Sequence, residues 1–236
     1  MPERSSSSIE RRPRMRAPER RQQFLDVAAK LVLDRGPDAI TMERVCELAE
    51  VNRALIYRFF ANRDELLVQL VERESQHLDE AVNAALADTT TFEEETRAII
   101  STYLDLELRN QMVVSRRVGS MSTPPGLLLE WQRARNESTV RFLAEIQRRY
   151  RPELSGHDAL VLAASLGSAV TGVLALAEAG LETSRLVDTF VHVCIGASDR
   201  VSEGGRTRQK ARRTATGARV SKRAPATKQK PAPRGR

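Results

Sequence analysis

The chain has 236 residues and a formal net charge of +7, from 38 Lys and Arg against 31 Asp and Glu. Residues 204–236 hold 12 basic residues and no acidic one, residues 1–23 hold seven Arg and three Glu, and residues 24–203 hold 19 basic and 28 acidic residues. This distribution excludes a uniformly basic protein that coats nucleic acid, and it predicts that the two basic ends meet a polyanion.

The cysteines and histidines predict neither a disulfide framework nor a metal site. Cys46 and Cys194 are 148 residues apart, no CxxC pair occurs, and the three histidines are scattered along the sequence. Both cysteines fall on apolar faces, which favours buried structural thiols over redox sensors. We expect no metal and no cofactor. The N-terminal residues are polar and rich in Arg, so no signal peptide is predicted.

Residues 159–177 form an uncharged run of 19 residues, which is long enough to cross a membrane. Eleven of these residues are Ala, Gly, Ser or Thr, and no Trp or Tyr flanks the run. The composition therefore favours a buried helix of a soluble protein over a membrane span.

Apolar residues recur with helical spacing, and no segment alternates with period two for long, so the predicted class is all-α. In chain order, the predicted helices cover about 18–35, 42–49, 53–60, 63–87, 92–108, 127–150, 156–179 and 184–201. The stretch 111–122 is less regular. Residues 1–17 are predicted to form a disordered basic arm, and residues 204–236 a disordered tail rich in Lys, Arg, Pro and Ala.

Two short helices at 41–49 and 53–60 form the most informative pattern. Thr41 and Asn52 are good N-caps, and the connection between the helices is three or four residues long. Such a pair is typical of a helix-turn-helix, whose second helix presents its side chains to base edges in the major groove. Spacing alone leaves open that the pair is only a packed helical hairpin. Glu50 stands in the turn where Gly is common, and a left-handed Glu costs on the order of 1–2 kcal/mol.

Residues 20–67 resemble the N-terminal domain of the tetracycline-repressor (TetR) family of bacterial regulators. The similarity is carried by Ala28-Ala29, Gly36, Thr41, Ala49, Val51, the IYRFF stretch at 56–60 and the NRDEL stretch at 62–66. The resemblance implies an all-α protein with a DNA-binding domain at 18–66. It also implies a helical domain at 67–203 that binds a small effector and dimerises.

The resemblance also implies which side chains meet DNA. Thr41, Tyr57 and Arg63 resemble phosphate-contacting positions, and Arg63 stands where the family usually has Lys. Arg53, Ala54 and Phe59 stand where bases are read, and Phe59 replaces a commonly polar position. Arg53 could bond a guanine bidentately. Because residues 24–66 hold six basic and eight acidic residues, the few cations, with Arg58 among them, must be well placed.

The uncharged helix and the last helix are predicted to form a homodimer interface. Small residues recur at Ala164, Ser168 and Gly172, which lets another helix approach closely, and Leu186 and Phe190 give the last helix an apolar surface. A core helix of a monomer is the alternative. A symmetric dimer would present two recognition helices to a palindromic operator.

Six apolar residues are candidates for an effector pocket, although such residues are more often ordinary core. They are Tyr103, Met112, Met121, Leu128, Trp131 and Phe142. They would favour an apolar effector.

The helix-turn-helix pattern and the family resemblance together imply a DNA-binding transcription regulator of the bacterial cytoplasm, associated with the nucleoid when bound. The resemblance further implies that it represses until an effector releases it. No nucleophile elbow, P-loop, Rossmann or HExxH motif occurs, so an enzyme is not expected. The alternative is an architectural DNA binder that acts through residues 204–236. That tail could also serve solubility alone.

Overall fold

The computed structural model describes residues 15–221 of the chain. Among these residues no strand occurs, and the helices are α1 (Ala17–Arg35), a 3-10 turn (Pro37–Ala39), α2 (Met42–Leu48), α3 (Arg53–Ile56), α4 (Arg63–Leu86), α5 (Phe92–Leu108), α6 (Val113–Gly119), α7 (Gly126–Tyr150), α8 (Gly156–Glu178) and α9 (Thr183–Ser221). The all-α prediction is confirmed. Residues 1–14 of the predicted arm and 222–236 of the predicted tail lie outside the described residues.

Short polar side chains begin the helices where the sequence predicts them. The Thr41 hydroxyl accepts a hydrogen bond from the Arg44 backbone N–H at 3.2 Å. The side chains of Asn52 and Asn62 cap α3 and α4 in the same way. Each cap satisfies one of the N–H groups that the first turn of a helix leaves without a partner. The predicted starts of α2, α3 and α4 are therefore confirmed.

The chain divides into two compact units. Of the described residues, the first unit contains those up to Asp88 together with Ser101–Asn136. The second contains Thr89–Ile100 together with the described residues from Glu137 onwards. This division by packing does not follow the functional boundary predicted between residues 66 and 67, which stays a prediction.

The core of the first unit joins α1, α2, α3 and α4 to α6 and the start of α7. Phe24, Ile56, Phe60 and Leu66 are at most 1% exposed and are among the largest side chains of this core. Two phenylalanine rings, those of Phe24 and Phe60, meet edge to face with centroids 6.1 Å apart. This packing fixes the position of α3 on α1 and α4.

Helix α6 occupies most of the stretch that the sequence predicts to be less regular. Val114 and Val118 are buried in the core of the first unit. Arg117 donates hydrogen bonds to the carbonyl oxygens of Val32 and Leu33, at 3.1 and 2.8 Å. Since these carbonyls belong to the last turn of α1, the arginine ties α6 to the C-terminal end of that helix.

The second unit packs α8 against α9 and the C-terminal half of α7. Only four α8 residues are buried, namely Ala159, Leu162, Ala163 and Leu174. By length and composition, helix α8 is apolar enough to cross a membrane. An 18-residue stretch of this helix has a mean hydropathy of 2.1, and 28% of that stretch is buried. A single copy of the chain thus leaves α8 more exposed than the predicted buried helix.

Helix α9 continues far beyond the end predicted for it near Val201. It reaches Ser221, so residues 204–221 are helical rather than part of a disordered tail. Gly204 and Gly205 do not stop the helix, because a Gly inside a helix costs only about 1 kcal/mol when the residues on both sides continue it.

Candidate nucleic-acid interface

The turn between α2 and α3 is closed by a left-handed residue. Glu50 has a φ of 54°, and it lies in the region that L-residues other than Asn and Asp seldom adopt. Its backbone N–H donates to the Glu47 carbonyl at 3.2 Å, and the Val51 N–H donates to the Cys46 carbonyl at 3.1 Å. These two bonds form a Schellman motif, which usually contains Gly at the left-handed position. The strain predicted for Glu50 is therefore present.

Four of the predicted DNA-contacting side chains lie on the exposed face of α3 and the turn that follows it. Arg53, Ala54, Tyr57 and Arg58 are all exposed, whereas Ile56 on the opposite face is fully buried. The exposed face of this short helix is therefore open to a partner.

Arg53 is held by its neighbours on the protein surface. Its guanidinium donates to the Tyr57 hydroxyl at 3.3 Å and lies over the Tyr57 ring, and it forms an ion pair with Glu43. The hydrogen bond to Tyr57 and the charge of Glu43 raise the pKa of Arg53, so the side chain stays charged. A bound guanine would have to compete with Glu43 for this guanidinium.

Thr41 and Arg63 lie close together in the fold, but their roles differ. The Thr41 side chain is exposed and caps α2. Arg63 donates from Nε to the Ile40 carbonyl at 2.8 Å and from Nη2 to the Pro37 carbonyl at 3.2 Å. Two of its five donors therefore hold the turn before α2 to the start of α4, a use that spacing along the sequence does not reveal.

Phe59 belongs to the core more than to the surface. Its half-buried ring packs 5.6 Å from the ring of Phe24, centroid to centroid. The expectation that Phe59 approaches bases stays a prediction, and this packing leaves only part of the ring for such a contact.

The six predicted pocket residues lie in different surroundings, and their role in an effector pocket stays a prediction. Met112, Met121 and Leu128 are buried, and Met121, Leu128 and Trp131 belong to the core of the first unit. Among the described residues, none of the six lines the apolar cavity that the second unit contains between α5, α7, α8 and α9. That cavity is lined instead by residues such as Ile99, Leu143 and Gln147.

The predicted dimer residues divide into exposed and buried ones. Ala164, Ser168 and Gly172 are exposed along α8, and Leu186 is half-buried. Phe190 is 7% exposed and lines the cavity of the second unit, so it is not part of an open surface. Val193 on α9 is 52% exposed, so its side chain is accessible to a second copy of the chain.

The α2–α3 pair lies in a segment that matches a known protein family. Residues 24–70 match the family model described as bacterial regulatory proteins, tetR family. This segment of the chain resembles the tetR family. The matched residues include all of α2 and α3 with the left-handed turn between them, so the predicted resemblance is confirmed.

Two curated relatives match part of this chain. The HTH-type transcriptional activator FasR of Mycolicibacterium smegmatis is 31% identical over 87 residues, which are 37% of this chain and 40% of FasR. The nucleoid occlusion factor SlmA of Actinobacillus pleuropneumoniae is 28% identical over 99 residues, which are 42% of this chain and 49% of SlmA. The chain therefore spans less than half the length of these relatives.

Solved structures share the fold over most of the chain. A transcriptional regulator from Pseudomonas aeruginosa PAO1 has a TM-score of 0.63 and 16% identity, and the match covers 83% of this chain and 96% of that one. The structure of AibR with isovaleryl coenzyme A and operator DNA has a TM-score of 0.54 and 20% identity, with 74% and 97% covered. At these identities the likeness concerns the fold alone.

Proposed function

We propose that this chain is a transcription regulator of the tetR family, which recognises a palindromic operator by its sequence and binds it as a homodimer. The observation that carries the proposal is the capped α2–α3 pair, which presents Arg53, Ala54, Tyr57 and Arg58 on one exposed face. No part of this proposal requires catalysis. The site of action is the cytoplasm, at the nucleoid when the protein is bound to DNA.

Helix α3 reads the major groove with Arg53, and Tyr57 and Thr41 meet phosphates. A bidentate arginine–guanine contact contributes about 1–3 kcal/mol of discrimination against other bases. Part of that gain is offset here, because Arg53 leaves its ion pair with Glu43 on binding. Arg63 acts in this proposal as a positioning residue for the turn before α2.

The exposed apolar residues of α8 and α9 support the homodimer. Val161 and Leu176 on α8 and Val193 on α9 are each about half exposed. A Cβ atom added at Gly172 would meet no other atom within 4 Å, so the surface of α8 is open there. A helix with little charge and much exposed apolar surface is stabilised when a second copy covers it. The light-scattering mass of the purified chain tests this, and a monomer at micromolar concentration would contradict it.

Effector control is the remaining part of the proposal. The AibR structure, described with both isovaleryl coenzyme A and operator DNA, supports it because a protein of this fold carries both kinds of site. Repression is the mode expected for this chain, with an effector that binds the DNA-free form more tightly.

Selection of bound DNA from a random pool tests the whole proposal. We expect a palindrome, and an Arg53→Ala variant that binds it at least about 10-fold more weakly, from the loss of one bidentate contact in each half-site, each partly offset by the ion pair of Arg53 with Glu43. Arg148→Ala, which removes the same charge from an exposed site on α7, is the matched control and should bind as the wild type does. Recovery of no shared sequence would favour the architectural alternative.

A further inference from the structure

The second unit contains a small, partly open cavity whose walls are almost entirely apolar. It lies between the first half of α5, the second half of α7, α8 and α9, and its volume is about 70 Å³. Sites that take drug-sized ligands measure about 300–1,000 Å³. This cavity therefore suits a molecule of only a few heavy atoms.

Gln147 places an unpaired polar group in the wall of this cavity. The residue is 6% exposed, and its Oε1 atom has no hydrogen-bond partner among the described residues. Buried side-chain oxygens are paired in the large majority of folded proteins, because an unpaired one loses its hydrogen bonds to water without replacement. The amide thus offers an acceptor and, after rotation about its last torsion, a donor.

The other walls carry no charge among the described residues. Thr96 already donates its hydroxyl hydrogen to the Phe92 carbonyl at 2.6 Å, so only its oxygen is left to accept a bond. Cys194 is 3% exposed, and burial raises the pKa of its thiol to about 11, so it is neutral at physiological pH. A carboxylate, phosphate or ammonium group would enter this cavity without a counter-charge, which is costly.

Gly167 keeps part of the space open. A Cβ atom at this position would lie 3.5 Å from Cδ1 of Leu143, in ordinary van der Waals contact. Any side chain there would extend into the volume between α7 and α8. A single methyl group would narrow the cavity without a clash.

We propose that this cavity binds a small uncharged molecule with a short apolar chain and one amide or hydroxyl group, which donates a hydrogen bond to Gln147. The inference rests on the proposed function only in treating this molecule as the effector. The binding itself is independent of DNA. Gln147 gives the orientation of the ligand, and the apolar wall excludes its charged analogues.

Titration of the full chain, followed through the methyl NMR signals of Ile99, Leu143 and Val170, tests the proposal. The probes are butyramide and 1-butanol, with butyrate and butylammonium as charged analogues and pentane as the apolar one. We expect the two neutral polar probes to shift these signals at concentrations at least tenfold below either charged analogue. No shift with any probe, or equal affinity for butyrate, would overturn the proposal.

Two variants separate the polar contact from the space. Gln147→Leu should lower the affinity for butyramide at least tenfold and leave the affinity for pentane unchanged. Gly167→Ala should lower the affinity for both molecules. Gln132→Leu, on the part of α7 that belongs to the first unit, is the matched control and should bind butyramide as the wild type does. Unchanged butyramide affinity in Gln147→Leu would refute the role of Gln147.

The selected operator distinguishes this inference from the proposed function. If butyramide binds but no palindrome is selected, the cavity stands and the regulator proposal fails. If a palindrome is selected and no probe shifts the methyl signals, the regulator proposal stands and the cavity is not a ligand site.

Discussion

Because Glu50 is left-handed, we expect glycine at this position to stabilise the first unit. Glu50 has a φ of 54° and closes the Schellman motif at the end of α2. An L-residue costs about 1–2 kcal/mol in this conformation. Glycine avoids that cost but loses about 0.5–1 kcal/mol more backbone entropy on folding. Replacement by Gly should therefore stabilise the first unit by about 0.5–1 kcal/mol relative to an L-residue of the same backbone conformation.

The comparison that isolates the backbone is Glu50→Gly against Glu50→Ala, because both variants lack the carboxylate and its interactions. Urea unfolding followed by the fluorescence of Trp131, the one tryptophan of the sequence, reports on the first unit, since this ring packs against its core. Glu47→Gly against Glu47→Ala is the matched control inside α2. There the sign should reverse, with Gly about 1 kcal/mol less stable.

Equal stability of Glu50→Gly and Glu50→Ala would refute this reasoning. It would mean that the turn relaxes to another conformation when the carboxylate is removed. A loss of operator affinity in Glu50→Gly beyond that in Glu50→Ala would point instead to a turn whose strain positions α3.

Arg63, Cys194 and the basic residues at the end of the chain can each be tested by one change. Arg63→Ala should lower the free energy of unfolding by about 1–2 kcal/mol, because it removes the hydrogen bonds that the guanidinium donates to the Ile40 and Pro37 carbonyls. It should leave the salt slope of DNA binding by the homodimer unchanged, and a slope lower by about two would indicate a lost phosphate contact in each half-site. Burial raises the pKa of the Cys194 thiol from 9.0 to about 11, so the folded chain keeps this thiol neutral at a pH where the unfolded chain ionises it. The free energy of unfolding should therefore be unaffected below pH 9 and fall as the pH rises towards 11, by up to about 2.7 kcal/mol. Chemical unfolding of Cys194→Ala should lack that loss. Residues 222–236 hold six basic residues, so deleting them should make the DNA affinity less dependent on salt concentration and keep the operator preference. An unchanged dependence of the affinity on salt would exclude this segment from DNA binding.

Local chemistry made the helix boundaries near the interface predictable. Thr41, Asn52 and Asn62 cap helices from their own first turn, so the signal lies within three residues of each cap. The strained turn could be recognised in the same way, because Glu50 departs from the residue that the turn favours.

Contacts between distant residues were not predictable from spacing. Phe59 lies on the same short segment as Tyr57, but its ring packs on Phe24, 35 residues away in the sequence. Arg63 binds carbonyls more than 20 residues earlier. For both Phe59 and Arg63, the contacting residue is determined by the packing of α1 against α3 and α4.

The sequence alone determined the all-α class, the capped α2–α3 pair and the small number of cations on an acidic body. Each of these features depends on residues that are neighbours in the sequence or that share one helix face. Only the tertiary structure decided that Phe190 lines a cavity, that α8 stays largely exposed and that Gln147 is buried with an oxygen that finds no partner in the described part of the chain. The physical reason is that a helical period marks which residues share a face, whereas burial depends on which other helix covers that face.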